Sequence, residues 1–284
     1  MSDLEYLADF YLDDLKSKFN KIKPEDYYLG YSGGKDSHFL YWFIKEYAHI
    51  EGIEVVSLNT FMEHTQILQR MRKNADVILT PKLKPFEIKE KYGSPCFSKW
   101  QDEMISRYQK GLRSKNTIEA ITGENRTVYK ISKKARELLL SGKLHKVSNK
   151  CCDNLKKKPV KEYEKKTGKK AIMGVRGAES QMRKQQYTSC FTKNGNFTPI
   201  YDLTDEIMDL IYKKYQIEIP PVYDVIDRTG CMGCPYGSHS GNTPKELKLI
   251  SKPQFNFVTE YFKESYEVLG IDVEKIKAER GDFN

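Results

Sequence analysis

Three groups of residues have types and spacings that could do chemistry. The first is Ser32-Gly33-Gly34-Lys35-Asp36-Ser37. Small residues let the backbone approach an anion closely, and the N–H groups and dipole at the start of a following helix favour negative charge. Such a turn suits a pyrophosphate. It lacks the Gly-x-x-x-x-Gly-Lys-Ser/Thr order of the common P-loop, and an ordinary glycine turn is the bland alternative. The second group is Gly174-Val175-Arg176-Gly177-Ala178-Glu179-Ser180-Gln181-Met182-Arg183. Arginines beside a glycine turn at a strand end are well built to grip phosphate oxygens bidentately, although surface arginines are often just solvated. The third is a pair of cysteine pairs, Cys151-Cys152 and Cys231-Met232-Gly233-Cys234. Four thiolates can close one tetrahedral or cubane metal site, so an iron-sulfur cluster, structural zinc and unligated thiols all remain open. Lys150, Lys156, Lys157 and Lys158 flank the first pair and would temper its negative charge, or form a solvated helix face.

The elements that must position these groups follow from periodicity. Residues Tyr6 to Phe19 have helical spacing, and Pro24 closes that helix before a strand-like run, Tyr27 to Tyr31. After the glycine turn, Phe39, Leu40, Phe43, Ile44 and Tyr47 recur at three and four residues, which predicts a helix abutting the turn. Ile53 to Leu58 and Asp76 to Thr80 read as strands with a helix at Thr65 to Met71 between them, and Ala171 to Val175 as a late strand. Helices are expected at Gln101 to Leu112, Lys133 to Leu140, Thr204 to Tyr215 and Phe255 to Leu269. Alternating strands and helices predict an α/β fold: a Rossmann-like parallel sheet of about five strands with helices on both faces, plus a mostly helical C-terminal part. The expected domains are 1–200 for the nucleotide-binding part and 201–284 for the helical region carrying Cys231 and Cys234.

The loop resembles that of the ATP pyrophosphatases of the adenine-nucleotide α-hydrolase type, and the Gly174 to Arg183 pattern resembles their phosphoadenosine phosphosulfate reductase-like branch. That resemblance implies binding of ATP with Mg2+, release of pyrophosphate and formation of an AMP ester on the substrate. It implies loop contacts from Ser32, Gly33, Gly34 and Ser37, charge compensation by Lys35, and orientation of metal or loop by Asp36. It further implies nucleotide contacts near Asn59-Thr60, Gly174, Arg176, Glu179 and Ser180, with Arg176 and Arg183 on phosphate oxygens. Roughly eighty residues separate the two cysteine pairs, an arrangement similar to that holding a [4Fe-4S] cluster in adenylylsulfate reductases and in the ATP pyrophosphatases of DNA phosphorothioation. Adjacent cysteines are unusual among zinc spacings, which favours the cluster over Zn2+.

Sulfonucleotide reductases of this branch use a cysteine near the C-terminus. The segment after Cys234, through Asn284, contains none, and a thiol nucleophile has no substitute there. The best expectation is therefore an adenylating sulfur-transfer enzyme supplied by a sulfur donor such as a cysteine desulfurase. DNA is preferred over tRNA as acceptor. Thiolation of tRNA, a reductase-like enzyme, a small-molecule adenylyltransferase and a silent nucleotide-binding regulatory module are the alternatives. Lys and Arg outnumber Asp and Glu by 48 to 39, a net charge of +9 that suits a polyanionic partner. No run approaches a membrane span and the start, Met1 to Tyr6, lacks signal-peptide features, so a cytoplasmic protein with thiols outside disulfides is expected. Cys96 and Cys190 are more simply buried thiols than persulfide carriers, and His64 and His239 show no partner in the sequence.

Overall fold

The computed structural model describes residues 3–281, with side chains from residue 6 onward. The outermost residues of the Met1 to Tyr6 and Cys234 to Asn284 stretches discussed above lie outside the described residues.

Four short, β-branched and aromatic runs become strands: β1 (Tyr27–Gly30), β2 (Glu54–Leu58), β3 (Val77–Leu79) and β4 (Lys170–Met173). All pairings are parallel, in the order β3-β2-β1-β4, with Leu29 opposite both Val55 and Ile172. The sheet thus has four strands rather than about five. Parallel neighbours need crossover connections, and the helices Lys35–Trp42 and Thr65–Asn74 supply the first two. Tyr28, Val56 and Ala171 pack on one face with Val160 and Tyr163. Leu29, Val55 and Ile172 point to the opposite face and are fully buried, so both faces are covered, as a parallel sheet requires. The chain leaves β1 toward β2 and β3 and returns beside β1 as β4. The strand order therefore reverses between β1 and β4, the switch point outside which α/β sheets open a ligand crevice.

The predicted helices form at Asp3–Phe19, Lys99–Gln109, Lys133–Leu140 and Asp205–Lys214. The expected single helix over Phe255 to Leu269 is two, Lys252–Tyr261 and Lys263–Leu269. Adjacent Tyr261 and Phe262 are both buried, which one face of a straight helix does not accommodate. No helix among the described residues is long and apolar enough to cross a membrane.

The chain forms two compact units, each assembled from separated segments. One, the sheet unit, comprises Met1–Asn59, Thr65–Leu79 and Val160–Tyr223; the other, the cysteine unit, comprises Thr60–His64, Thr80–Pro159 and Asp224–Asn284. The units interleave along the sequence, whereas periodicity places a single boundary after residue 200. Local patterning carries no signal for a segment that leaves one core and later returns to it.

Candidate functional site

In the sheet unit, the turn after β1 is built by its own serines. Ser32 N–H donates to Ser37 Oγ at 3.2 Å, the two hydroxyls lie 3.0 Å apart, and Ser37 Oγ donates to the Gly34 carbonyl at 3.0 Å. Gly33 has φ +72°, and a Cβ there would meet Ile67 and Met71 atoms at 3.0 to 3.1 Å, so both conformation and space require glycine. The helix Lys35–Trp42 starts at once, with Gly34 as its extended N-cap.

The second motif reaches the same place from β4. A Cβ on Gly174 would lie 3.0 Å from the Asp36 carbonyl carbon and oxygen and from Ser37 N. Only a residue without a side chain lets the end of β4 press on the helix start. Arg176 is 5% exposed; its Nε donates to Asp36 Oδ1 at 2.7 Å and its Nη1 to Asp205 Oδ1 at 2.8 Å. Burial disfavours its charge, and the Asp36 and Asp205 carboxylates more than offset this, raising its pKa. Arg176 therefore aims the Asp36 carboxylate instead of presenting an open fork.

Three further residues satisfy the loop, all missed at the sequence level. The Lys35 N–H donates to the Tyr223 hydroxyl at 2.9 Å, the Tyr212 hydroxyl donates to the Lys35 carbonyl at 2.7 Å, and Lys35 Nζ pairs with Asp209 at 2.8 Å. Asp205, Asp209 and Tyr212 stand at intervals of four and three on one helix, one continuous face. That periodicity was the available signal. Tyr223 had none.

Other expected residues are engaged elsewhere. Arg183 pairs with Glu179 one turn earlier. The Ser180 hydroxyl caps the helix Gln181–Gln186, accepting from Arg183 N–H at 3.2 Å. Asn59 continues β2, its N–H donating to the Leu79 carbonyl. Thr60, in the cysteine unit, is buried and donates through both N–H and hydroxyl to Glu63.

In the cysteine unit the four predicted cysteines line one small cavity of about 20 Å³, together with Met62, Lys156 and Tyr261. The loop Cys231 to Cys234 is held on all sides. Gly233, at φ +60°, donates through N–H to Glu246 at 3.1 Å and accepts at its carbonyl from Tyr266; Met232 N–H donates to the Met62 carbonyl at 2.7 Å. Glu246 also meets His64 Nε2 at 3.2 Å, so His64 has a structural partner that the sequence did not disclose. Cys151 and Cys152 have sulfurs 4.0 Å apart. The Cys151–Cys152 hydrogen bond, with burial, raises the Cys151 thiol, while the same bond and nearby Lys99, Lys156 and Lys157 lower Cys152 to about 6. The Cys231 sulfur beside Lys156 pushes the lysine's pKa up against burial.

The donor set fits a thiolate-bound metal group. Tyr261 is 1% exposed and lines the cavity, and its hydroxyl finds no partner among the described residues, a buried donor waiting for an acceptor. No three His, Cys, Asp or Glu side chains among the described residues are drawn together tightly enough to hold an ion as they stand. The space is about that of one water; a cubane requires the cysteines to rotate outward. Cys96 is fully buried, its thiol pushed up by burial and Asp102, which suits an inert core residue. Cys190 is half-buried, and His239 Nε2 lies 2.7 Å from the Phe97 carbonyl.

Residues 103–236 match a family model described as "Phosphoadenosine phosphosulfate reductase domain". The matched stretch includes Gly174 to Arg183, so the resemblance of that pattern to the phosphoadenosine phosphosulfate reductase-like branch is borne out; both cysteine pairs also fall inside the stretch, and the Ser32 to Ser37 loop lies outside it. No curated protein matches the chain. Among solved structures, it is similar to an NH3-dependent NAD synthetase from Campylobacter jejuni and an NMN synthetase from Francisella tularensis. Each is 12% identical, with 96% of this chain and 98% of the other covered and a TM-score of 0.37.

Proposed function

We propose that the chain is an ATP pyrophosphatase that adenylates an oxygen of its substrate and so prepares it for replacement by sulfur. The observation that carries this reading is the meeting of two motifs about 140 residues apart at the strand-order switch: Gly174 packs on the Asp36–Ser37 peptide and Arg176 fixes Asp36. An acceptor oxygen attacks the α-phosphorus of ATP, the bond from that phosphorus to the bridging oxygen breaks, and diphosphate leaves into the turn. Lys35 moves from the exposed Asp209 carboxylate to offset the charge that develops on the leaving group, and loop N–H groups stabilise it. Arg176 acts through Asp36 and is a positioning residue. Asp36 and Asp205 would offer the one or two carboxylates that a phosphate-bound Mg2+ needs, and the ion would neutralise phosphate charge. A sulfur nucleophile from a separate donor, such as the persulfide of a cysteine desulfurase, then displaces AMP, and a thiol reductant cleaves the remaining S–S bond to the donor. A backbone phosphate of DNA is the preferred acceptor, in keeping with the net charge of +9, and tRNA is the second.

Cys151, Cys152, Cys231 and Cys234 would hold a [4Fe-4S] cluster, which when bound supplies a one-electron redox centre. The small cavity favours Zn2+ as a second reading. Anaerobic metal analysis separates them: iron with equal sulfide supports the cluster, and one zinc per chain without iron supports zinc. The function is tested by product analysis with ATP, Mg2+ and DNA, tRNA or sulfate. AMP and diphosphate, lost in Lys35→Ala, are expected. No turnover with any acceptor, and Lys35→Ala indistinguishable from the parent, would favour a silent nucleotide-binding module, which the internally satisfied loop also suits.

A further inference from the structure

A polar cavity in the sheet unit has no part in the reading above. It encloses about 560 Å³ between the helices Lys35–Trp42 and Thr65–Asn74 and the 215–221 segment, and no residue from Ser32 to Ser37 lines it. Its wall contains Arg70, 8% exposed. Arg70 Nη2 donates to the Glu218 carbonyl at 2.7 Å, and the exposed Glu218 carboxylate stands 3.9 Å from the same nitrogen. Nη1, equally buried, has no hydrogen-bond partner among the described residues. A guanidinium carries five donors and no acceptor, so this nitrogen needs an acceptor that the described residues do not supply. Leaving it bare is costly.

The surroundings favour an anion as that acceptor. Lys73 lines the same cavity, and Gln69 and Asn74 add amide groups. Asn74 donates to the Tyr31 hydroxyl at 2.9 Å, and that hydroxyl lies 3.0 Å from His38 Nδ1, which fixes the imidazole in the wall. Burial, then Arg70 and Lys73, lower His38 to about 3, so the ring stays neutral. Glu46 and Glu218 are the opposing carboxylates on the lining. A tetrahedral oxyanion matches a guanidinium edge, and the volume leaves room for an organic group attached to it.

We infer that this cavity binds a tetrahedral oxyanion, free or as a monoester, with Arg70 Nη1 as its principal donor and Lys73 at its side. The source is either the inorganic ion or a nucleoside monophosphate. The test is calorimetric titration at low ionic strength with inorganic sulfate, inorganic phosphate and AMP, on the wild type and on Arg70→Met, Lys73→Met and Lys35→Ala. Arg70→Met is expected to weaken one class of sites at least about tenfold, and Lys73→Met about threefold. Loss of a different class in Lys35→Ala supports both sites. Loss only in Arg70→Met, with Lys35→Ala unchanged, supports this cavity while removing the phosphate loop as an anion site. Saturation by phosphate or sulfate identifies the free ion, and binding by AMP alone identifies the monoester. Because Arg70 also ties down Glu218, Lys73→Met, at an exposed position, decides alone if Arg70→Met does not fold. Titrations unchanged in whichever of these two variants fold, or no binding of any probe by the wild type, overturn the inference.

Discussion

Tyr223→Phe removes one hydroxyl from the phosphate loop and leaves the ring. That oxygen accepts the Lys35 N–H at 2.9 Å, an amide at the helix start where a departing diphosphate needs donors. Bound nucleotide must displace the tyrosine before it can use this amide. A neutral intramolecular hydrogen bond contributes about 1 kcal/mol net, so its removal makes opening the amide easier by about that amount. The corresponding change is about fivefold in Kd. Calorimetry with Mg2+ and an ATP analogue blocked between the α- and β-phosphates reads it directly, and the variant is expected to bind about five times more tightly. Its thermal stability should fall by about 1 kcal/mol, the same hydrogen bond lost from the free protein. Weaker binding would mean that Tyr223 itself touches the nucleotide. Unchanged affinity would mean that the amide is not a ligand, and either result refutes the reasoning.

Gly174→Ala places a methyl group 3.0 Å from backbone atoms of Asp36 and Ser37; it should cost about 1–3 kcal/mol in stability and reduce diphosphate release at least about tenfold. Gly30→Ala, whose added carbon meets only the Ile172 carbonyl at 3.5 Å, is the tolerated control in both assays. Tyr261→Phe should change sign with loading: about 1 kcal/mol more stable in metal-free protein, where the hydroxyl is buried without a partner, and less stable once a thiolate-bound group gives it an acceptor. Chemical denaturation of both forms checks this, and the same sign in both would remove Tyr261 from the cavity's chemistry. Burial raises the Asp102 carboxyl to about 6, against hydrogen bonds from the Cys96 and Phe97 N–H groups and the Tyr236 hydroxyl. The native state therefore keeps a proton that the unfolded chain has lost between about pH 4 and 6. Asp102's contribution is fully present below that window and falls by about 3 kcal/mol as pH rises through it; the slope should vanish in Asp102→Asn when unfolding free energies are compared across it.

The sequence disclosed what depends on local pattern. The first three strands fall within runs marked as strands, the fourth begins one residue before its predicted run, and the helix Lys133–Leu140 has the predicted bounds. The turn at Ser32 was legible because glycine freedom and a helix start are local properties. The partners that complete it were not. Asp209 and Tyr212 lie about 175 residues away, and only the returning β4 and the helix Asp205–Lys214 bring them back. The same limit explains Arg176. Its type suggested phosphate, while its geometry between Asp36 and Asp205 could be known only once β4 was placed beside β1.

These placements assign different duties to the two cations nearest the loop. Arg176 is buried and held by two carboxylates, so moving it to a substrate would strand Asp36 and leave a desolvated charge unpaired. Lys35 is paired with a carboxylate that is 63% exposed, and such pairs cost little to break. A cation that must follow charge as it develops on a leaving group has to be the cheaply released one, and a cation that must hold a carboxylate in one orientation has to be the costly one. The loop therefore divides its positive charge into a mobile part at Lys35 and a fixed part at Arg176, which the spacing of the two motifs in the sequence does not reveal and the four-stranded sheet order does.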